Sequence, residues 1–122
     1  MGDETVLIAE DDPELRRLVT YVLESAGYVV EAFGTGDGCW ERLEAGDRPD
    51  LVILDIMMPG LDGVDVLELI RSDEHLADLP VVFLSGRGRE SDIVAGIDAD
   101  VDDYVTKPFS PSELRDRVGG LI

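Results

Sequence analysis

Two uninterrupted apolar runs, Val6-Leu7-Ile8 and Leu51-Val52-Ile53-Leu54, lead straight into carboxylates: Glu10 and Asp11 follow the first, Asp55 the second. A strand that is apolar at every position, rather than at every other one, must be covered on both faces. That is the condition of a central strand in a parallel sheet flanked by helices. Three further β-rich stretches complete a set of five strand candidates, Thr5–Ala9, Tyr28–Ala32, Leu51–Asp55, Val81–Ser85 and Tyr104–Thr106, all read as buried.

Helical segments separate each pair. Asp12-Pro13-Glu14 supplies an N-cap, a proline at the first helical position and an acid in the first turn. Leu15, Leu18, Val19, Val22 and Leu23 then form an apolar stripe, and Gly27 ends the helix. Further helices are predicted over Gly36–Ala45, Gly63–Arg71, Ser91–Asp98 and Pro111–Leu121, with Val64, Leu67, Leu69 and Ile70 as the buried side of the second of these. Strands joined through helices need right-handed crossovers, which give a doubly wound α/β domain whose ligands lie at the carboxyl ends of the strands.

Composition narrows the class. A chain of 122 residues with 44% hydrophobic residues buries the core of one domain. The single Cys39 cannot form an internal disulfide, no Cys/His cluster occurs, no signal peptide opens the sequence, and no apolar run reaches the roughly 20 residues of a bilayer span, so the chain reads as a cytoplasmic protein with no membrane association. A formal net charge of −18 repels phosphate backbones and argues against direct nucleic-acid binding by this segment. Gly119-Gly120 interrupts the last helical pattern, which fits either a frayed terminus or a continuation into a further domain.

The carboxyl-end rule selects Glu10, Asp11 and Asp55, whose strands are neighbours in a five-stranded doubly wound order. Three carboxylates in one crevice repel one another unless a cation is present. Oxygen ligands without Cys or His favour magnesium, with manganese as the alternative. Ser85 ends the fourth strand with a hydroxyl at the same edge, and Lys107 follows the fifth, where an ammonium neutralises phosphoryl oxygens. Pro108 after it admits a cis Lys107–Pro108 peptide.

Four ordered blocks carry a resemblance over nearly the whole chain: Ile8-Ala9-Glu10-Asp11-Asp12-Pro13, Leu54-Asp55-Ile56-Met57-Met58-Pro59-Gly60-Leu61-Asp62-Gly63, Leu84-Ser85-Gly86, and Asp102-Asp103-Tyr104-Val105-Thr106-Lys107-Pro108-Phe109. The chain resembles the receiver domains of two-component response regulators. The resemblance implies a flavodoxin-like (βα)5 domain with strand order 2-1-3-4-5. It makes Asp55 the phosphoacceptor for a sensor histidine kinase or phosphotransfer protein. It has Asp11 bind magnesium directly, Glu10 act through a metal-bound water, and the Met57 carbonyl serve as a further ligand. Ser85 becomes the switch hydroxyl, Lys107 the phosphoryl partner and Tyr104 the aromatic partner of the switch, which changes the surface around the Ser91–Asp98 helix and the fifth strand. Kinase pairing is expected along the first helix, at Arg16, Arg17 and Thr20. Such a protein is a signalling phosphoacceptor rather than an enzyme, as a monomer or a phosphorylation-dependent dimer, with a fused or separate output domain.

Departures refine the expectation. Met57 and Arg87 lack the amide or acid that positions an attacking water in fast self-dephosphorylating members, so a long-lived phosphoryl state is expected. Asp100-Val101 stands where Gly-Ala is usual. The run from Tyr104 to Leu114 resembles receivers fused to winged-helix DNA-binding domains, which dimerise through this face. Glu113 and Arg117 fit that ion-pair network, but Ile93 and Gly119 occupy positions where that branch usually has basic residues. Gly34-Thr35-Gly36-Asp37-Gly38 lacks the spacing and lysine of a nucleotide loop and reads as a flexible loop entering a helix. His75 reads as solvated, and Cys39 and Trp40 as helix packing. Two rival readings are a magnesium-dependent phosphatase, for which Asp55-Ile56-Met57 offers no acid–base partner, and an interaction module that no longer uses phosphate, which would have lost one of the acids, the lysine or the hydroxyl.

Overall fold

The computed structural model describes residues 3–86 and 101–122. The predicted Ser91–Asp98 helix, with Ile93, and the positions Arg87 and Asp100 lie outside them. The elements are β1 (Thr5–Ala9), α1 (Pro13–Ser25), β2 (Val29–Phe33), α2 (Gly36–Ala45), β3 (Leu51–Asp55), α3 (Gly63–Arg71), β4 (Val81–Ser85), β5 (Asp103–Thr106) and, after it, the helix Pro111–Gly119, here α4. All five strands are parallel, in the order β2-β1-β3-β4-β5. This is the doubly wound, flavodoxin-like arrangement expected from the alternating pattern.

Each described helix starts on a side-chain cap. Asp12 accepts from the Glu14 amide ahead of Pro13, Thr35 from Gly38, Ser110 from Glu113, and Asp62 and Asp65 form a reciprocal capping box. Val6, Ile8, Leu51, Ile53, Val82, Leu84 and Val105 face α1 and α4. Leu7, Ala9, Val52, Leu54, Val81 and Phe83 face α2 and α3. The strict alternation of a strand decides this division, although the runs themselves are apolar at every position.

Several expectations are corrected. β2 runs one residue later than Tyr28–Ala32, because the register pairs Val29 with Thr5 and Phe33 with Ala9. β1, β3 and β4 are buried apart from the half-buried Thr5, but the edge strands β2 and β5 are only partly so, having a neighbour on one side. On α1 the buried residues are Val19, Val22 and Leu23, while Leu18 is 44% exposed. On α3 they are Gly63, Val66, Leu67 and Ile70, with Val64 and Leu69 half-buried. The last helix stops at Gly119 rather than Leu121, where Gly120 caps it. Cys39 is buried, Trp40 packs on the same cluster, and His75 is exposed.

Candidate functional site

The register brings the strand ends together. Ala9 pairs with Leu54, Asp55 with Leu84, and Ser85 with Thr106, so Glu10, Asp55, Ser85 and Lys107 share one edge of the sheet. Side chains alternate, and Glu10, Asp55 and Lys107 continue the series Val6-Ile8, Leu51-Ile53 and Val105 that faces α1 and α4. The two acids and the lysine therefore converge. Ser85 belongs to the opposite series, and its Oγ rests 3.4 Å from the Gly86 carbonyl.

Glu10 is fully buried and Asp55 nearly so, whereas Asp11 is exposed. Each offers a carboxylate oxygen, all within 4.8 Å of one another. Lys107 Nζ lies 3.2 Å from Asp55 Oδ1 and 3.3 Å from Glu10 Oε1. It donates a hydrogen bond to Asp55 but is badly aligned for Glu10, whose buried Oε1 has no hydrogen-bond partner. Glu10 Oε2 accepts from the Asp12 amide at 3.0 Å, and Asp55 Oδ1 accepts a long 3.3 Å bond from Met57. The Lys107–Pro108 peptide is cis.

One ammonium among three carboxylates leaves the cluster net negative. Burial pushes the Glu10 carboxyl up to about 7, helped by the Asp55 charge and opposed by the Asp12 amide and Lys107. Burial also raises Asp55, against the pull of Lys107. For Lys107 burial acts downward, but Asp55 and Glu10 outweigh it and hold the ammonium above its ordinary value. An orphaned buried carboxylate oxygen facing two further carboxylates suits a hard cation with oxygen ligands, and Glu10, Asp11 and Asp55 could hold one.

The chain matches the response regulator receiver domain family over residues 6–119. It belongs to that family. Among relatives of this receiver domain, the transcriptional regulatory protein CseB of Streptomyces coelicolor is 42% identical over a match covering 100% of this chain and 51% of the relative. The phosphate regulon transcriptional regulatory protein PhoB of Pseudomonas aeruginosa is 35% identical, over 100% and 53% respectively. The receiver domain thus spans about half the length of these curated relatives. A solved receiver domain of a sensor histidine kinase from Pseudomonas aeruginosa superposes with a TM-score of 0.88 at 27% identity, covering 98% of both chains, and holds a magnesium ion coordinated in its active site cleft. Receiver domains of response regulators are signalling phosphoacceptors. Among the described residues no helix is long and apolar enough to cross a membrane.

The remaining expected site residues lie away from the acid cluster. Tyr104 is 42% exposed on β5. Arg117 on α4 forms an ion pair with Asp103 at 2.8 Å, and Glu113 lies in the first turn of that helix. Of the residues expected to face a kinase, Arg17 is exposed, while Arg16 and Thr20 are half-buried. Arg16 turns back, donating at 2.8 Å to the Glu10 carbonyl, while the Thr20 hydroxyl donates to the Arg16 carbonyl. Two contacts escaped the sequence reading: Arg16 bracing the loop of Glu10 and Asp11, and Asp37 accepting from the Leu61 amide at 3.0 Å. Both join side chains to backbone groups across turns. The glycines of the adjoining loops mark close backbone approach, but nothing local names the partner segment.

Proposed function

We propose that this receiver domain accepts a phosphoryl group on Asp55 from the phosphohistidine of a sensor histidine kinase or phosphotransfer protein. The observation that carries the reading is the convergence of Glu10, Asp11 and Asp55 on a single ammonium, with the buried Glu10 Oε1 lacking a hydrogen bond. Glu10, Asp11, Asp55 and the Met57 carbonyl would hold magnesium, with manganese as a substitute. Such a cation neutralises charge on phosphoryl oxygens during transfer. Asp55 supplies the nucleophile: a carboxylate oxygen attacks phosphorus as the bond from phosphorus to the imidazole nitrogen breaks, leaving an acyl phosphate and a free histidine. Lys107, already on Asp55, pairs with the transferred group.

The new charge is the switch. Ser85, now turned to its own backbone, rotates toward the phosphoryl group, and Tyr104 leaves its exposed position. Together with Glu113 and Arg117 it forms the face read by an output domain or partner; Ile93, expected on that face, lies outside the described residues. The Arg117–Asp103 pair within one chain competes with any use of Arg117 between two chains. An apolar hollow lined by Leu15, Leu18, Pro108 and Phe109, beside Asp12 and Lys107, supports docking of a partner helix next to Asp55. Met57, with no acid or amide to position water, supports a long-lived acyl phosphate.

Intact mass after incubation with acetyl phosphate tests the reading. A magnesium-dependent gain of one phosphoryl group, absent in Asp55→Asn, is the expected outcome. No gain in a protein that binds magnesium normally would refute it and favour a phosphate-independent interaction module.

A further inference from the structure

The loop from Ile56 to Asp62 begins beside the acid cluster, where the Met57 amide donates to Asp55 Oδ1 at 3.3 Å. At its base the Gly63 amide donates to the Ile56 carbonyl at 3.1 Å, and a Cβ on Gly63 would meet the Asp55 carbonyl oxygen at 2.5 Å. At its tip the Leu61 amide donates to Asp37 Oδ1 at 3.0 Å. Among the described residues, two side chains from other elements accept from backbone amides between Met57 and Leu61: Asp55, through the long bond at Met57, and Asp37 at Leu61.

The seat around that bond has no slack. Gly60 takes a left-handed φ of 73°, and a Cβ there would lie 2.8 Å from Asp37 Oδ1. A Cβ on Gly36 would collide with the Leu61 carbonyl. Asp37 stands in the first turn of α2, where the helix terminus favours its negative charge. That helix is capped by Thr35 and buries Gly36, Cys39 and Leu43. An ionised carboxylate is the stronger kind of acceptor for an amide.

We infer that Asp37 is a positioning residue of the cation site: through the Leu61 amide it ties the Ile56–Asp62 loop to α2 and so fixes the Met57 carbonyl opposite Glu10, Asp11 and Asp55. The inference rests on the reading that a cation binds there. Asp37 touches none of the reacting atoms, so its loss alters how much magnesium is needed and leaves the chemistry at saturation intact.

The test is a magnesium titration of the whole chain, followed by Trp40 fluorescence and by calorimetry, on the wild type, Asp37→Ala, Asp37→Asn and Gly60→Ala. Groups that orient metal ligands typically change metal affinity by about 10–100-fold, and a single exposed bond belongs at or below the low end. Asp37→Ala is expected to raise the apparent magnesium Kd about five- to tenfold, to leave the rate of phosphorylation by acetyl phosphate at saturating magnesium unchanged, and to speed hydrogen exchange at the Leu61 amide. Asp37→Asn keeps an acceptor and stays within about twofold of the wild type. Gly60→Ala, which keeps every charge but strains the left-handed turn and crowds the carboxylate, raises the Kd at least as much as Asp37→Ala does. Equal magnesium affinity in wild type and Asp37→Ala overturns the inference while leaving the cation reading in place. Equal weakening by Asn and Ala also overturns it, since charge alone would then be acting. A wild type that binds no magnesium overturns both.

Discussion

Glu10→Gln tests whether the acid cluster opposes folding when no cation is present. Glu10 is fully buried, has one oxygen without a hydrogen bond, and titrates at about 7 instead of the ordinary 4.5. Between those two values the folded chain keeps a proton that the unfolded chain has released, so stability falls as pH rises through this window and is greatest below it. Burying Glu10 then opposes folding by about 3 kcal/mol at pH 8, where it is ionised, and by about 1 kcal/mol at pH 5, where folding takes up a proton. Glutamine has the same shape, still accepts from the Asp12 amide and carries no charge. Its NH2 then stands 3.3 Å from the Lys107 ammonium in place of Oε1, so it should stabilise the cation-free protein by at most those amounts. In urea, with a slope of about 1–3 kcal/mol/M, this moves the midpoint upward by about 1–3 M at pH 8 and by much less at pH 5. The assay is urea unfolding in EDTA at both pH values, followed by Trp40 fluorescence, and repeated in saturating magnesium, where the advantage should shrink or reverse. A variant less stable than the wild type at pH 8 in EDTA would refute the reasoning, because attraction to Lys107 would then outweigh the cost of burial.

The same titration sets a pH dependence for magnesium: affinity should weaken as pH falls below about 7, by up to about tenfold per pH unit, and a flat profile between pH 6 and 8 in calorimetry would contradict it. Gly36→Ala drives a methyl into the Leu61 carbonyl and should cost about 1–3 kcal/mol by chemical denaturation, despite alanine's better helix propensity; a stabilised variant would mean that the loop yields freely. Burial pushes the Cys39 thiol up to about 12, so a thiol reagent at pH 8 should label it only as fast as the chain opens, and labelling at the rate of a small-molecule thiol would show that the site is accessible.

Much of the architecture was legible because local rules sufficed. The apolar runs marked β1 and β3 as central strands, caps such as Asp12-Pro13 marked helix starts, and the carboxyl-end rule picked out Glu10, Asp11 and Asp55. Where several apolar residues competed for one helix face, periodicity was ambiguous: Leu18 on α1 proved exposed, and on α3 Val66 was buried in place of Val64. Which of two adjacent residues enters the core depends on the angle at which a helix crosses the sheet, and that angle is a property of the packed layers.

The order of strands and helices, the chemistry available at the strand ends and the excess of negative charge follow from residue type and near-neighbour spacing alone. Only the tertiary structure decided that Glu10, Asp55 and Lys107 fall on one side of the sheet with Ser85 on the other. It alone left Glu10 Oε1 without a hydrogen bond, and it alone set Arg16 and Asp37 against the loops that carry the acids. These outcomes depend on strand register and on contacts between segments such as Asp37 and Leu61, 24 residues apart, which no local pattern encodes.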